Sequence, residues 1–136
     1  MIKKFPSNID IEIKIFVPIF PSESVSKVKE AINLVMGSKV EYRNHSNNLI
    51  LGITNRVELL NRTYDQVRNR AVTSVFHRLL ISNLNKNTTW FYINKQAATK
   101  GLIVLVEKFP EAPLGPIKIS ISSENILEVI DWLSIE

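Results

Sequence analysis

Cysteine is absent from this 136-residue chain, which excludes a disulfide framework, a thiol nucleophile and every thiolate metal centre. Glycine occurs only four times, with no G-x-G-x-x-G or G-x-x-x-x-G-K run to cradle a phosphate, so no nucleotide cofactor is expected. The two histidines, His45 and His77, fall outside the H-x-x-x-H and H-E-x-x-H patterns that metal sites use. His45 reads as part of a polar turn and His77 as a late position on a helix, both in solvent, so neither a triad nor a histidine metal site is expected. The carboxylate pairs Asp10/Glu12 and Glu128/Asp131 lie on outward faces, where water keeps a carboxyl ordinary and no general acid is made. No apolar run approaches the roughly 18 to 20 residues that span a bilayer. The opening "MIKKFPSNIDIEIKIF" places two lysines before apolar residues, but Asp10, Glu12 and Lys14 interrupt the apolar core an export signal needs. The expectation is a soluble, cytoplasmic, non-enzymatic protein with no cofactor, no metal, no membrane association and no small-molecule substrate.

What the chain does have is a basic body and an abundance of isoleucine at alternate positions. The net charge is +4, and residues 124–136 hold four acids and no base, which leaves +8 over residues 1–123. Such a body tolerates a polyanionic partner. Ile9, Ile11, Ile13 and Ile15 alternate with Asp10, Glu12 and Lys14, the period-two pattern of a half-buried strand, which Pro18 and Pro21 then end. Ser24 can cap a helix with Val25, Val28, Ala31, Ile32 and Val35 on one face, left through Gly37 in a left-handed conformation. Strands are expected over 39–43 and 49–54. A long helix follows, in which Val57, Leu60, Tyr64, Val67, Ala71, Val75 and Leu79 recur every three or four residues; Asn55 and Glu58 form its capping pair, with any bend near Arg62 and Thr63. Its five arginines spread around the helix rather than along one stripe, a pattern suited to solubility and scattered ion pairs.

Three strands and a helix complete the chain. Trp90 to Ile93 is aromatic and branched, Leu102 to Val106 is continuously apolar as in a strand covered on both sides, and Ile117, Ile119 and Ile121 alternate with polar residues. Ser123 can cap the last helix, with Ile126, Leu127, Ile130 and Leu133 inward. The order β-α-β-β-α-β-β-β-α predicts one α+β domain over residues 1–136, a largely antiparallel sheet of five to six strands with helices packed on one face. "KGLIVLVE" (100–107) can be laid on the signature of RNA-recognition motifs, but Leu102, Val104 and Glu107 stand where stacking aromatics belong, and each lost stack forgoes about 1–3 kcal/mol. Trp90 and Tyr92 share one face of their strand; they are expected to pack into the core, with stacking on bases the alternative.

"INKQAA" (93–98), Gly101, "PLGPI" (113–117) and "VIDWL" (129–133) resemble the C-terminal half of an archaeal family of unknown function, uncharacterised protein family two-hundred-and-one, often labelled an RNA-binding domain family. "FPSESVSKVKEAI" (20–32) and "RNRAVTSV" (68–75) resemble its N-terminal half more loosely. The resemblance implies a fold similar to that of large-subunit ribosomal protein five, and it carries no established activity or catalytic residues. Asn94 and Gln96 can satisfy backbone groups in a tight connection, Gly101 can take a positive φ, and Pro113, Gly115 and Pro116 can fix a turn. If that connection holds a site, the expected nucleic-acid contacts are Asn94, Lys95, Gln96 and Lys100, whose donors cluster there. The expected function is association with structured RNA through phosphate and shape contacts. The alternative is a homodimeric interaction module that pairs through a sheet edge or an apolar face and binds no RNA.

Overall fold

Alternating β-branched residues build the middle of the molecule. Along β1 (Glu12–Pro18) Ile13, Ile15 and Val17 point to one side, and along β6 (Ile117–Ser122) Ile117, Ile119 and Ile121 do the same. The two strands lie antiparallel with Ile13 opposite Ile121 and Ile15 opposite Ile119, so four isoleucines form one fully buried patch. Burying each such side chain stabilises the fold by about 1.5–3 kcal/mol. β3 (Leu49–Thr54) pairs with the other side of β1, and β2 (Tyr42–Ser46) flanks β3. β4 (Thr88–Ile93) pairs with β6, and β5 (Leu105–Val106) adds a short edge to β4. The computed structural model describes residues 4–46, 48–107 and 115–135. Among these the sheet has the order β2-β3-β1-β6-β4-β5, with every pairing antiparallel.

Helices α1 (Val25–Met36), α2 (Asn61–Asn69), α3 (Thr73–Ser82) and α5 (Ile126–Ser134) supply the apolar layer over the isoleucine patch. Val28, Ala31, Ile32 and Val35 of α1, Phe76 and Leu80 of α3, and Val129, Ile130 and Leu133 of α5 are buried with it. The expected α+β architecture is therefore present. α1 begins as expected at Ser24, whose Oγ accepts from the Lys27 backbone N–H at 3.4 Å, and it ends at Gly37 with φ 71°.

Several elements differ from expectation. β1 starts at Glu12 rather than Ile9, although Ile9 still packs against the core. Residue 45 lies within β2, not in a turn. The long helix is a 3-10 turn over 57–60 followed by two helices, and Asn55 and Glu58 form no capping pair: Glu58 instead accepts from Arg56 Nε at 3.1 Å. The break falls at 70–72, not at Arg62 and Thr63. There Ala71 adopts φ 56°, its N–H bonds Arg68 O at 3.0 Å, and Val72 N–H bonds Val67 O at 2.9 Å. That is a Schellman closure with alanine in the position glycine normally takes.

Residues 102–106 do not form one covered strand. Only Leu105–Val106 joins the sheet, at its edge, because Gln66 intercepts the preceding backbone: its Nε2 donates to Gly101 O at 2.8 Å and its Oε1 accepts from Ile103 N at 2.7 Å. Gly101 takes the expected positive φ, 75°. Between β4 and β5 a one-turn helix, α4 (Lys95–Ala98), occupies what the sequence suggests is a plain connection. The last helix begins at Asn125 with no side-chain cap, and Leu127 faces solvent while Val129 and Trp132 take inward places. Pro113 and Leu114 of the expected turn lie outside the described residues.

Candidate nucleic-acid interface

The four residues expected as contacts divide into two pairs. The Asn94 side chain accepts from Ala97 N at 2.8 Å and caps α4, while its own N–H donates to Val104 O at 2.8 Å. Lys95 is 3% exposed; its Nζ donates to Pro18 O at 2.5 Å and to Glu23 Oε1 at 3.0 Å, and it lies 5.4 Å from the centre of the Phe20 ring. Burial lowers the Lys95 amine from its usual value, and the bonded Glu23 carboxylate opposes that shift. Both side chains are thus committed inside the protein, tying α4 to the end of β1 and the start of α1. Gln96 and Lys100 face solvent. The structure therefore keeps the four together in sequence but presents only two of them to a ligand.

The other surface with functional potential is the face of the sheet opposite the helices. Along β4 the side chains of Thr89, Phe91 and Ile93 turn into the core, with Thr89 Oγ1 donating to Leu80 O at 2.6 Å and Phe91 meeting Phe76 edge-on at 4.9 Å. Trp90 and Tyr92 consequently point the opposite way, correcting the expectation that they pack in the core. Cross-strand register puts Arg43, Leu51, Phe16, Lys118 and Tyr92 in one row and Ile53, Lys14, Ser120 and Trp90 in the next. Lys118 Nζ stands 4.9 Å from the centre of the Trp90 ring and 5.7 Å from that of Phe16. The Trp90 and Tyr92 rings are 4.9 Å apart and tilted by 56°. A cation over a partly exposed ring contributes about 0.5–1 kcal/mol, whereas a base stacked on an aromatic contributes about 1–3 kcal/mol.

The face is also basic. Lys14, Lys118 and Arg43 occupy strand positions on it, and the acid among them is Glu12, paired with Lys14 at 3.7 Å. The signal was present in the sequence as the alternation in "TTWFYI", but periodicity says only that Trp90 and Tyr92 share a side, not which side the helices take.

Catalytic alternatives have little to work with. His77, expected in solvent, is half-buried and bonds Ser134 Oγ through Nδ1 at 2.9 Å; Ser134 in turn donates to Ile130 O at 2.7 Å. A hydroxyl whose proton is held by a backbone carbonyl accepts from the imidazole and is not activated by it. Among the described residues no group of three or more His, Asp or Glu side chains is arranged to hold a metal ion, and no helix is long and apolar enough to cross a membrane.

No family model matches the chain. Relatives do. A UPF0201 protein of Saccharolobus islandicus is 32% identical over 126 residues, covering 91% of this chain and 87% of the relative. Among solved structures, an uncharacterized UPF0201 protein superposes with a TM-score of 0.77 at 25% identity, covering 92% of this chain and 94% of the other. The UPF0201 protein from Methanococcus jannaschii gives a TM-score of 0.73, also at 25% identity, with 92% and 93% covered. The names of these proteins state no activity. With a relative above 30% identity over nine-tenths of its length, and solved relatives sharing its fold, this chain belongs to the archaeal UPF0201 family.

Proposed function

We propose that this is a cytoplasmic, non-catalytic RNA-associated protein that holds RNA on the helix-free face of its sheet. The observation that supports it is the set of cations on this face: Lys14, Lys118 and Arg43 stand on β1, β6 and β2, with Glu12 an opposing acid. Adjacent strands lie about 4.8 Å apart, so the row from Arg43 on β2 to Lys118 on β6 spans about 14 Å, enough for more than one phosphate. Gln96 and Lys100, both in solvent, are separate contacts on the helix side of the sheet, where Gln96 lines a hollow with Lys27, Val28 and Ala31 of α1.

Filter binding of the full chain to a structured RNA at two salt concentrations tests this. Affinity is expected to fall with salt. Replacing Lys14, Lys118 and Arg43 together by Gln is expected to flatten the log–log salt slope by about 2, at roughly 0.7 per neutralised phosphate. Absence of binding, or binding indifferent to salt, removes the proposal.

Self-association is the second reading, favoured by one feature. β2 is an edge strand, so one side of Tyr42–Ser46 is without a strand neighbour among the described residues. A monomer mass by light scattering at micromolar concentration counts against it.

A further inference from the structure

We infer that the helix-free face takes unpaired bases, with Trp90 as the stacking platform and Lys118 as a phosphate contact released from it, so that single-stranded RNA is the preferred ligand. This rests on the RNA association proposed above and names its substrate class. Three observations carry it. The Trp90 main chain is tied down, since Asn83 Nδ2 donates to Trp90 O at 2.9 Å, so the strand position from which the indole projects is held. The residue directly across from it on β6 is Ser120, a short side chain that is itself buried, and beyond Ser120 stands Lys14. Lys118, on the neighbouring row, reaches the Trp90 ring at 4.9 Å.

A flat ligand entering over Trp90 meets a π-face with the Lys118 ammonium 4.9 Å from its centre and, two strands away, Lys14. That combination suits an unpaired base with its own phosphates better than a duplex, whose bases are already stacked on one another and present no free face along its length. An unpaired nucleotide supplies in one unit both a flat ring for Trp90 and a phosphate for Lys118, which is why the face is assigned to RNA over a peptide.

The experiment compares full-length wild type, Trp90→Leu, Trp90→Phe and Lys118→Gln against oligo(U) and oligo(A) of ten nucleotides and a blunt RNA duplex of the same length. Single strands are expected to bind more tightly than the duplex and to quench indole fluorescence. Trp90→Leu is expected to weaken single-strand binding about tenfold at unchanged salt slope, Trp90→Phe to stay near wild type because it keeps a π-face, and Lys118→Gln to flatten the slope. Equal affinity for duplex and single strand, with Trp90→Leu indistinguishable from wild type, overturns stacking and leaves RNA association standing. No binding to any RNA removes both. A dimer in light scattering that either Trp90 variant converts to monomer assigns the face to a second copy and overturns the inference.

Discussion

Thr63 sits on α2 with no exposed surface, and its Oγ1 has no hydrogen-bond partner among the described residues. A buried hydroxyl left unpaired costs about 1–3 kcal/mol, so Thr63→Val, which keeps the shape and deletes the hydroxyl, is expected to raise stability by about 1 kcal/mol in urea titration. Lys95 represents the opposite case. Replacing it with Met strands the Glu23 carboxylate, whose side chain is 9% exposed, and a broken buried pair costs about 3–5 kcal/mol. The double variant Glu23→Gln with Lys95→Met is expected to lose less than Lys95→Met alone. The same lysine makes stability depend on pH. Its folded-state value is lowered from 10.5, so between that lowered value and 10.5 the unfolded chain binds more protons and stability rises with pH. Comparing urea midpoints at pH 8 and 9.5 should show a rise in wild type that is absent in Lys95→Met. The upper limit stays below 10 because burial raises the Tyr42 phenol from its usual 10.0; above that pH the unfolded phenol ionises first and stability falls. None of this is legible in "INKQAA", where a lysine reads as surface by default. Asn94 as a helix cap, by contrast, follows from its residue type alone.

At the scale of elements, ends decide more than periodicities. The ring of apolar positions from Val57 to Leu79 is continuous in helical period, yet the chain stops and restarts at 70–72 because Ala71 takes φ 56°. Glycine at Gly37 announces the end of α1 in advance; alanine announces nothing, which is why one boundary was readable and the other was not. An L-residue in the left-handed region carries about 1–2 kcal/mol of strain, against about 0.5–1 kcal/mol of added chain entropy for glycine. Ala71→Gly is therefore expected to raise the unfolding free energy by about 0.5 kcal/mol, whereas Gly37→Ala should lower it, since a Cβ there would come 2.9 Å from Arg62 Cδ. Arg68 is another end effect. Its guanidinium donates to Tyr64 O, Leu133 O, Trp132 O and Ile135 O at 2.9–3.2 Å and stacks 3.5 Å from the centre of the Tyr64 ring. It closes the C-terminus of α5 from 64 residues or more away in sequence, so no local pattern betrays it. Arg68→Ala is expected to cost about 3 kcal/mol, given about 1.5–3 kcal/mol for a bond to a charged group, and Arg68→Lys to restore only a minor part because an ammonium lacks the planar fork.

At the scale of the whole molecule, the strand order puts the first and last strands, β1 and β6, side by side at the centre. The isoleucines that form this patch were legible by alternation, but their adjacency was not, because pairing between residues 13 and 121 leaves no mark in either stretch. The same non-locality makes the C-terminal helix indispensable. Ile126, Val129, Ile130, Trp132 and Leu133 are buried against the sheet and its helices, and at about 1.5–3 kcal/mol each they contribute about 7–15 kcal/mol. That equals the whole net stability of an ordinary domain, about 5–15 kcal/mol. A chain ended after Ser123 is expected to lose cooperative urea unfolding and near-ultraviolet circular dichroism while its net charge rises to +8. Loss of four acids could by itself unsettle a basic protein, so two full-length variants separate charge from burial. Leu127 is 57% exposed on the outward side of the helix, and Leu127→Lys should leave the unfolding midpoint within experimental scatter. Ile130→Lys adds the same charge at a fully buried position and should abolish the folded state. Equal effects from the two substitutions would mean that charge, and not the apolar face of α5, holds the sheet closed.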